Sequence, residues 1–176
     1  YLPGIRLNEN ISFFSRVDKC IEGCKIVFLA VPSGHIREMC KKMSLFAADG
    51  IFIVNLAKGI ECDGFKRMSE VISEELSFAE VGTLSGPNYS IEVANRLSTA
   101  SVIASKNSEL TEHVRKILST NYFKVYPHRD IVGVDRAGPN GGAIAMAGAH
   151  TGESKGGVKS LSLPGQELPV AHEQAR

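Results

Sequence analysis

The chain of 176 residues lacks tryptophan and contains only 7% aromatic residues. It has no apolar run long enough to cross a bilayer, so we expect no membrane span. It also lacks an excess of either charge, because 20 lysines and arginines face 19 aspartates and glutamates. Nucleic-acid-binding surfaces need a clustered excess of positive charge, and nucleic acid is therefore not an expected partner.

Cysteine is also scarce, and the four cysteines, at positions 20, 24, 40 and 62, form no C-x-x-C pair. No histidine cluster accompanies them, so we do not expect a metal site. No secretory leader opens the sequence, and we expect reduced thiols in a cytoplasmic protein. The first residues do not include an initiating methionine, which leads us to expect a processed or truncated chain.

The sequence does contain a regular alternation of apolar strands with amphipathic helices. This rhythm predicts βαβ units, which build an α/β fold with a mostly parallel sheet and helices on both faces. The predicted strands cover 24–33, 50–57, 80–87, 99–105 and 122–127. The predicted helices include Ile36 to Met43, a helix capped by Asp63, a short helix at 88–96 and one marked by Leu110, Val114 and Ile117.

Three loops follow predicted strands, at 31–33, 57–59 and 85–88. Ligands bind outside the carboxyl ends of the strands in such sheets, so we expect these loops to share a ligand-binding rim. Lys58 is either a solvated surface lysine or a cation for a phosphate or substrate oxygen. Gly86 and Asn88 lie either in a simple tight turn or at a helix N-terminus that favours anions.

From residue 137 onward the composition shifts to glycine, alanine and serine without a sustained period. We predict that 137–176 is a divergent, flexible tail. Its "AGPNGG" stretch is not read as a phosphate loop, because no Gly-Lys-Ser/Thr follows it.

Several ordered segments resemble NAD(P)-dependent glycerol-3-phosphate dehydrogenases over residues 1–136. They include "YLPGIRLNENI", "IVFLAVPSGHIREM", "NLAKGIE", "LSGPNYSIEVA" and "YFKVYPHRDIVGV". The resemblance implies a Rossmann domain followed by an all-helical domain. It also implies reduction of dihydroxyacetone phosphate to sn-glycerol 3-phosphate with NAD or NADP, which supplies phospholipid biosynthesis in the cytoplasm.

The resemblance assigns roles to residues of the expected rim. Lys58 matches a lysine that touches both cofactor and substrate, and Gly86 matches a substrate-binding glycine. Asn88 stands where bacterial-type members usually have a substrate-contacting serine. Pro32 and Ser90 match cofactor-binding positions.

The sequence also departs from the family pattern. We expect 1–136 to form an incomplete dinucleotide-binding domain, because the family's first strand and Gly-rich loop would precede residue 1. The family's general acid/base lysine aligns with Gly141, and the arginine–asparagine motif of its substrate domain does not occur. We therefore expect little or no turnover from this chain alone.

Two other readings remain open from the sequence. One is a non-catalytic Rossmann-like remnant that acts by binding. The other is a Rossmann dehydrogenase for a different substrate, and the joint presence of Lys58-Gly59 and Ser85-Gly86-Pro87 argues against it. The sequence does not set the choice between NAD and NADP. Because an incomplete sheet exposes strand edges, we also expect self-association.

Overall fold

The structure, a computed structural model, describes residues 2–137. Gly141 and nearly all of the expected tail lie outside the described residues; Ala137 ends the last described helix. The strands are β1 (Ile26–Leu29), β2 (Phe52–Asn55), β3 (Glu80–Ser85), β4 (Thr99–Ser105) and β5 (Phe123–His128). The helices are α1 (Val17–Ile21), α2 (Ile36–Met43), α3 (Met68–Glu75), α4 (Ser90–Ala94), α5 (Ser108–Leu118) and α6 (Ile131–Ala137).

The five strands form one sheet in the order β1-β2-β3-β4-β5. Pairings β1–β2, β2–β3 and β4–β5 are parallel, which confirms the predicted α/β fold with a mostly parallel sheet. The β3–β4 pair is antiparallel. The only helix in the described connection between them, α4, has five residues and spans about 7 Å, about a third of the length of a strand of about 20 Å.

Helices cover both faces of the sheet, as the sequence predicted. Helices α2 and α3 pack on one face, where Ile53 is fully buried. Helix α5 packs on the other face, where the neighbouring Val54 is fully buried. Strand β2 is therefore buried on both sides, as its continuous apolar sequence indicated.

Helix α6 joins the face that carries α3 and is fixed there by a buried carboxylate. Asp135 accepts a hydrogen bond from the Thr83 hydroxyl at 2.6 Å and another from the Ser69 backbone N–H at 3.2 Å. The first bond ties α6 to β3 and the second ties it to the N-terminus of α3. Both buried donors thereby have an acceptor, and Asp135 holds α6 in place against β3 and α3.

The predicted start of α3 was wrong. The helix begins at Met68 rather than near Asp63, and the Glu70 carboxylate accepts a hydrogen bond from the Arg67 N–H at 2.9 Å. Phe65, which would lie in the first turn of a helix capped by Asp63, is 78% exposed and has a left-handed φ of 54°. Gly64 is also left-handed, so a turn replaces the expected first helical turn.

Helix α5, Cys40 and the lengths of the helices each bear on an expectation from the sequence. Leu110 and Val114 of α5 are buried as expected, but Ile117 is 51% exposed. Cys40 lies in the core, and burial raises the pKa of its thiol to about 12. Across residues 2–137, no helix is both long enough and apolar enough to span a membrane.

Candidate functional site

The loops after β1, β2 and β3 meet at one edge of the sheet. These strands are parallel and in register, so Leu29 lies beside Asn55, and Asn55 beside Thr83. Their carboxyl ends therefore open onto the same rim. The Nζ of Lys58 donates a hydrogen bond to the Gly86 carbonyl at 3.2 Å, which joins the second and third loops directly.

A buried asparagine shapes the exit of β2 toward Lys58. Asn55 is fully buried, and its Nδ2 donates to the Ala57 carbonyl at 3.1 Å. The Ala57 N–H donates in return to Asn55 Oδ1 at 3.0 Å. This reciprocal pair holds the backbone immediately before Lys58. Asn55 was not among the predicted site residues, although an asparagine inside an apolar strand was an available signal.

Gly59 brings the loop after β2 against the loop after β1. Its φ is 148°, and a Cβ placed on it would lie 2.6 Å from Ser33 Oγ and 2.9 Å from Ser33 Cβ. A side chain at position 59 is therefore opposed by both the backbone conformation and the neighbouring loop. The backbone at Gly59 therefore packs closely against Ser33.

A network of charged side chains holds the part of the loop that follows Lys58. Arg37 of α2 donates from Nε and Nη2 to the two carboxylate oxygens of Glu61, at 2.6 and 2.8 Å. Its Nη2 also donates to Glu74 at 2.9 Å, and its Nη1 to Glu75. Lys66 pairs with Glu74 at 2.6 Å. The network thus joins α2, the loop and α3.

The hydrogen bonds of this network shift the acid–base equilibria of its members. Arg37 lowers the pKa of the Glu61 carboxyl, and Lys66 followed by Arg37 lowers that of Glu74. The three glutamates together raise the pKa of Arg37. Arg37, Glu61 and Glu74 therefore stay charged near neutral pH. The network was not predicted from the sequence, where its one local signal is Glu61, three residues after Lys58.

Gly86 is buried against β4, on the other side of the rim. A Cβ at this position would lie 2.6 Å from the Ala100 carbonyl oxygen and 3.0 Å from Ser101 Cα. Those are backbone atoms of a paired strand and cannot rotate away. The glycine is thus required by the packing of β3 on β4, in addition to any ligand contact.

Asn88 turns its amide toward β4. Its Nδ2 donates to Ser101 Oγ at 2.5 Å, and the Thr99 hydroxyl donates to its Oδ1 at 3.4 Å. Both ends of the amide therefore have protein partners. A substrate contact by Asn88 would have to exchange one of these hydrogen bonds, and the assigned role stays a prediction.

The two remaining predicted site residues follow β1 and β3 in the chain and are exposed. Pro32 follows β1 and is exposed, and Ser90 is the exposed first residue of α4. Their cofactor roles stay predictions. The expected anion site at the start of α4 also stays a prediction, since that helix has only five residues.

The fold and the rim together define the class of protein. An open, mostly parallel sheet with helices on both faces is a Rossmann-like fold, and its loops at the carboxyl ends of β1, β2 and β3 form the rim. The family described as "NAD-dependent glycerol-3-phosphate dehydrogenase N-terminus" matches residues 1–111. The chain belongs to this glycerol-3-phosphate dehydrogenase family.

Individual relatives carry the same name. The chain is 37% identical over 147 residues to glycerol-3-phosphate dehydrogenase [NAD(P)+] of Clostridium tetani, covering 84% of this chain and 42% of the relative. It is 36% identical over 165 residues to the enzyme of that name from Psychrobacter arcticus, covering 93% of this chain and 38% of the relative. The chain thus spans less than half the length of these two curated relatives.

A solved structure supports the same conclusion. The crystal structure of glycerol-3-phosphate dehydrogenase from Coxiella burnetii superposes with a TM-score of 0.75 at 28% identity. The match covers 78% of this chain and 42% of that structure. These relatives are dehydrogenases, so the comparisons do not favour the alternative of a non-catalytic remnant.

Proposed function

We propose that the protein interconverts dihydroxyacetone phosphate and sn-glycerol 3-phosphate with NAD or NADP, and that this chain supplies the rim where cofactor and substrate meet. The observation that carries the proposal is the contact between Lys58 Nζ and the Gly86 carbonyl at 3.2 Å. It places an exposed ammonium group where three strand-end loops converge. Family membership supports this reading of the rim.

The residues of the rim fit one end of a dinucleotide. Lys58 offers a charged donor there, Pro32 lies exposed in the loop after β1, and Ser90 lies exposed at the start of α4. Between residues 2 and 137 no Gly-x-Gly-x-x-Gly turn follows a strand, so the pyrophosphate has no matching cradle in that part of the chain. When bound, the nicotinamide supplies or accepts the hydride. Lys58, Pro32 and Ser90 are the residues that would hold this end of the cofactor.

Within the proposed reaction, the rim residues bind and orient the substrate. The ammonium of Lys58 carries three N–H donors and can hold a substrate oxygen while its stem stays on the loop. Gly86 allows the substrate to approach the backbone, and Asn88 offers an amide beside it. Gly141 aligns with the family's proton-transferring lysine, so we expect turnover slower by about 10²- to 10⁴-fold from this position alone.

Ligand-dependent protection of Lys58 from acetylation tests the proposal without requiring turnover. The 176-residue chain is labelled with acetic anhydride at trace level, with and without millimolar NADH and dihydroxyacetone phosphate, and each lysine is quantified by mass spectrometry. We expect protection of Lys58 but not of Lys66, which lies in the same loop and pairs with Glu74. No protection of Lys58, or equal protection by sulfate alone, would contradict the proposal.

Turnover itself is followed as NADH oxidation at 340 nm with dihydroxyacetone phosphate. The chain should turn over weakly or not at all, and Gly141→Lys should raise any measurable rate. Family-like turnover by the unaltered chain would show that position 141 does not limit the reaction. Lys58→Ala should abolish ligand binding, whereas the matched Lys66→Ala should not.

We also propose a cytoplasmic location and self-association through exposed surface. In the described part of the chain, β1 pairs with β2 on one side only, and Leu7, Ile11 and Phe13 are exposed nearby in sequence. Unpaired strand edges and exposed apolar side chains promote association. Analytical ultracentrifugation across a concentration series tests this, and a concentration-independent monomer would contradict it.

A further inference from the structure

We infer that Arg37 is a positioning residue for Lys58, acting through Glu61. The inference rests on the proposed function of the rim, because only there does the placement of Lys58 matter for chemistry. Arg37 belongs to α2, and its guanidinium holds both carboxylate oxygens of Glu61, three residues beyond Lys58. It therefore fixes the direction in which the loop leaves the rim.

Helix α2 and the turn before it contact the loop at two points. Ser33, in the turn that leads into α2, packs against Gly59, and Arg37, one helical turn later, holds Glu61. Both contacted residues follow Lys58 in the loop. On the side before Lys58, Asn55 holds the Ala57 backbone. The backbone is thus held on both sides of Lys58, and the ammonium group of Lys58 donates a hydrogen bond to the Gly86 carbonyl.

The base of the loop is closed by its own backbone. The Glu61 N–H donates to the Lys66 carbonyl at 2.9 Å, and Ile60 forms an isolated antiparallel bridge with Arg67. A displacement of Glu61 therefore moves this short ladder as a unit. Where the backbone of Glu61 moves, Gly59 and Lys58, two and three residues earlier, move with it.

Because of the charges around Arg37, loss of this residue would push the Glu61 carboxylate out of its position and would not simply leave it there without a partner. The guanidinium faces Glu61 from the loop and Glu74 and Glu75 from α3. Lys66 supplies a second cation, paired with Glu74. Without Arg37, three carboxylates would share one ammonium and repel one another. Arg37→Lys would keep the charge but lose the two-pronged grip on Glu61, because an ammonium lacks the planar fork.

The test measures the acetylation rate of Lys58 relative to Lys124, a lysine on β5, in the 176-residue chain without ligands. In Arg37→Ala we expect the ratio to rise about fivefold, as the ammonium loses one hydrogen bond to a carbonyl. Arg37→Lys should give a smaller rise. The matched control is Arg115→Ala, which removes the Arg115–Glu112 pair on the far helix α5 and should leave the ratio unchanged.

A double-mutant cycle establishes that the effect passes through Glu61. Glu61→Gln should raise the ratio, and adding Arg37→Ala should raise it less than the two separate effects predict. An unchanged ratio in Arg37→Ala overturns the inference, and so does a fully additive cycle. General unfolding would free Lys58 as well and would also raise the ratio, so circular dichroism first establishes that each variant is folded. If Arg37→Ala does not fold, Arg37→Lys and Glu61→Gln decide the question by the same criterion.

The result also separates this inference from the proposed function. The labelling ratio needs no ligand, so it reports only on the placement of Lys58. A raised ratio together with absent ligand protection would support the positioning of Lys58 by Arg37 while contradicting the proposed activity. Ligand protection with an unchanged ratio would do the reverse.

Discussion

The loop after β2 and the loop after β3 meet at the same rim, but different forces hold them. The first is held largely by charge, because Arg37 and Lys66 bind the carboxylates of Glu61 and Glu74 around it. The second is held by close backbone packing at Gly86 and by uncharged hydrogen bonds at Asn88. One contact, from Lys58 to the Gly86 carbonyl, connects the two.

This difference predicts how each loop responds to change. A loop held by packing is sensitive to added volume and insensitive to pH or salt. A loop held by partly exposed ion pairs is sensitive to pH and salt and tolerates small changes in volume. Gly59 is the exception within the first loop, since it packs tightly against Ser33.

The largest effect is expected from Gly86→Ala. The new Cβ would lie 2.6 Å from a backbone oxygen of β4, so the strands must separate locally, which should cost about 3 kcal/mol of unfolding free energy. The measurement is urea denaturation followed by circular dichroism. Gly34→Ala is the matched control and should be nearly neutral, because a Cβ there meets nothing within 4 Å. Equal costs in both variants would contradict the packing explanation for Gly86.

Gly59→Ala should cost somewhat less, about 2 kcal/mol, from the strain of a left-handed backbone and the overlap with Ser33. The obstacle here is a side chain of a loop, which can shift more readily than a paired strand. Thermal unfolding of Gly59→Ala alone and with Ser33→Gly separates the two causes. Partial recovery in the double variant is expected, whereas no recovery would assign the whole cost to backbone strain.

Asn88→Ala should cost about 1 kcal/mol, because it leaves the Ser101 and Thr99 hydroxyls to find other partners. The control is Asn95→Ala, whose side chain makes an exposed hydrogen bond to the Ile91 carbonyl and should matter less. Denaturant midpoints of both variants test the difference. A larger loss for Asn95→Ala would contradict the anchoring of the second loop by Asn88.

The smallest effect is expected from acid, and it should be confined to the first loop. The pKa values of Glu61 and Glu74 are lowered in the folded chain, so their stabilising contribution is full above the ordinary glutamate pKa of about 4.3 and is lost as pH falls below it. Hydrogen exchange between pH 3 and pH 7, corrected for intrinsic rates, should show faster opening of 58–67 at the acid end. The backbone of 86–89 should change little, and parallel loosening of both loops would contradict the comparison.

Much of the fold was predictable from the pattern of apolar residues. The strand predicted at 99–105 has the same bounds as β4, and β2 is buried on both faces as its sequence indicated. The reversal between β3 and β4 was not predicted, because an apolar run fixes neither the direction nor the partner of a strand. The start of α3 was predicted wrongly because Asp63 has the side chain of a good helix cap. Gly64 and Phe65, which follow it, have left-handed backbone conformations that no helix continues.

The site was predictable only in part, for a similar reason. Lys58 and Gly86 stood out because each follows a strand, which is a local feature of the sequence. The contact of Arg37 with Glu61 joins residues 24 positions apart, and no local pattern indicates it. Asn88 was expected to face a substrate, and its engagement with β4 depends on the strand reversal that the sequence did not reveal.

The burial of Gly86 bears on how related sequences record selection. Because a side chain at this position would strike the backbone of β4 whether or not a ligand binds, descendants that lose all catalytic function should still retain glycine there as long as they fold. Lys58 is exposed and contributes little to packing. We therefore expect this lysine to be replaced sooner than Gly86 in lineages that no longer carry out the proposed reaction. If Lys58 serves the proposed reaction, the presence of this lysine among homologues indicates a working enzyme, whereas the glycine indicates only an intact sheet.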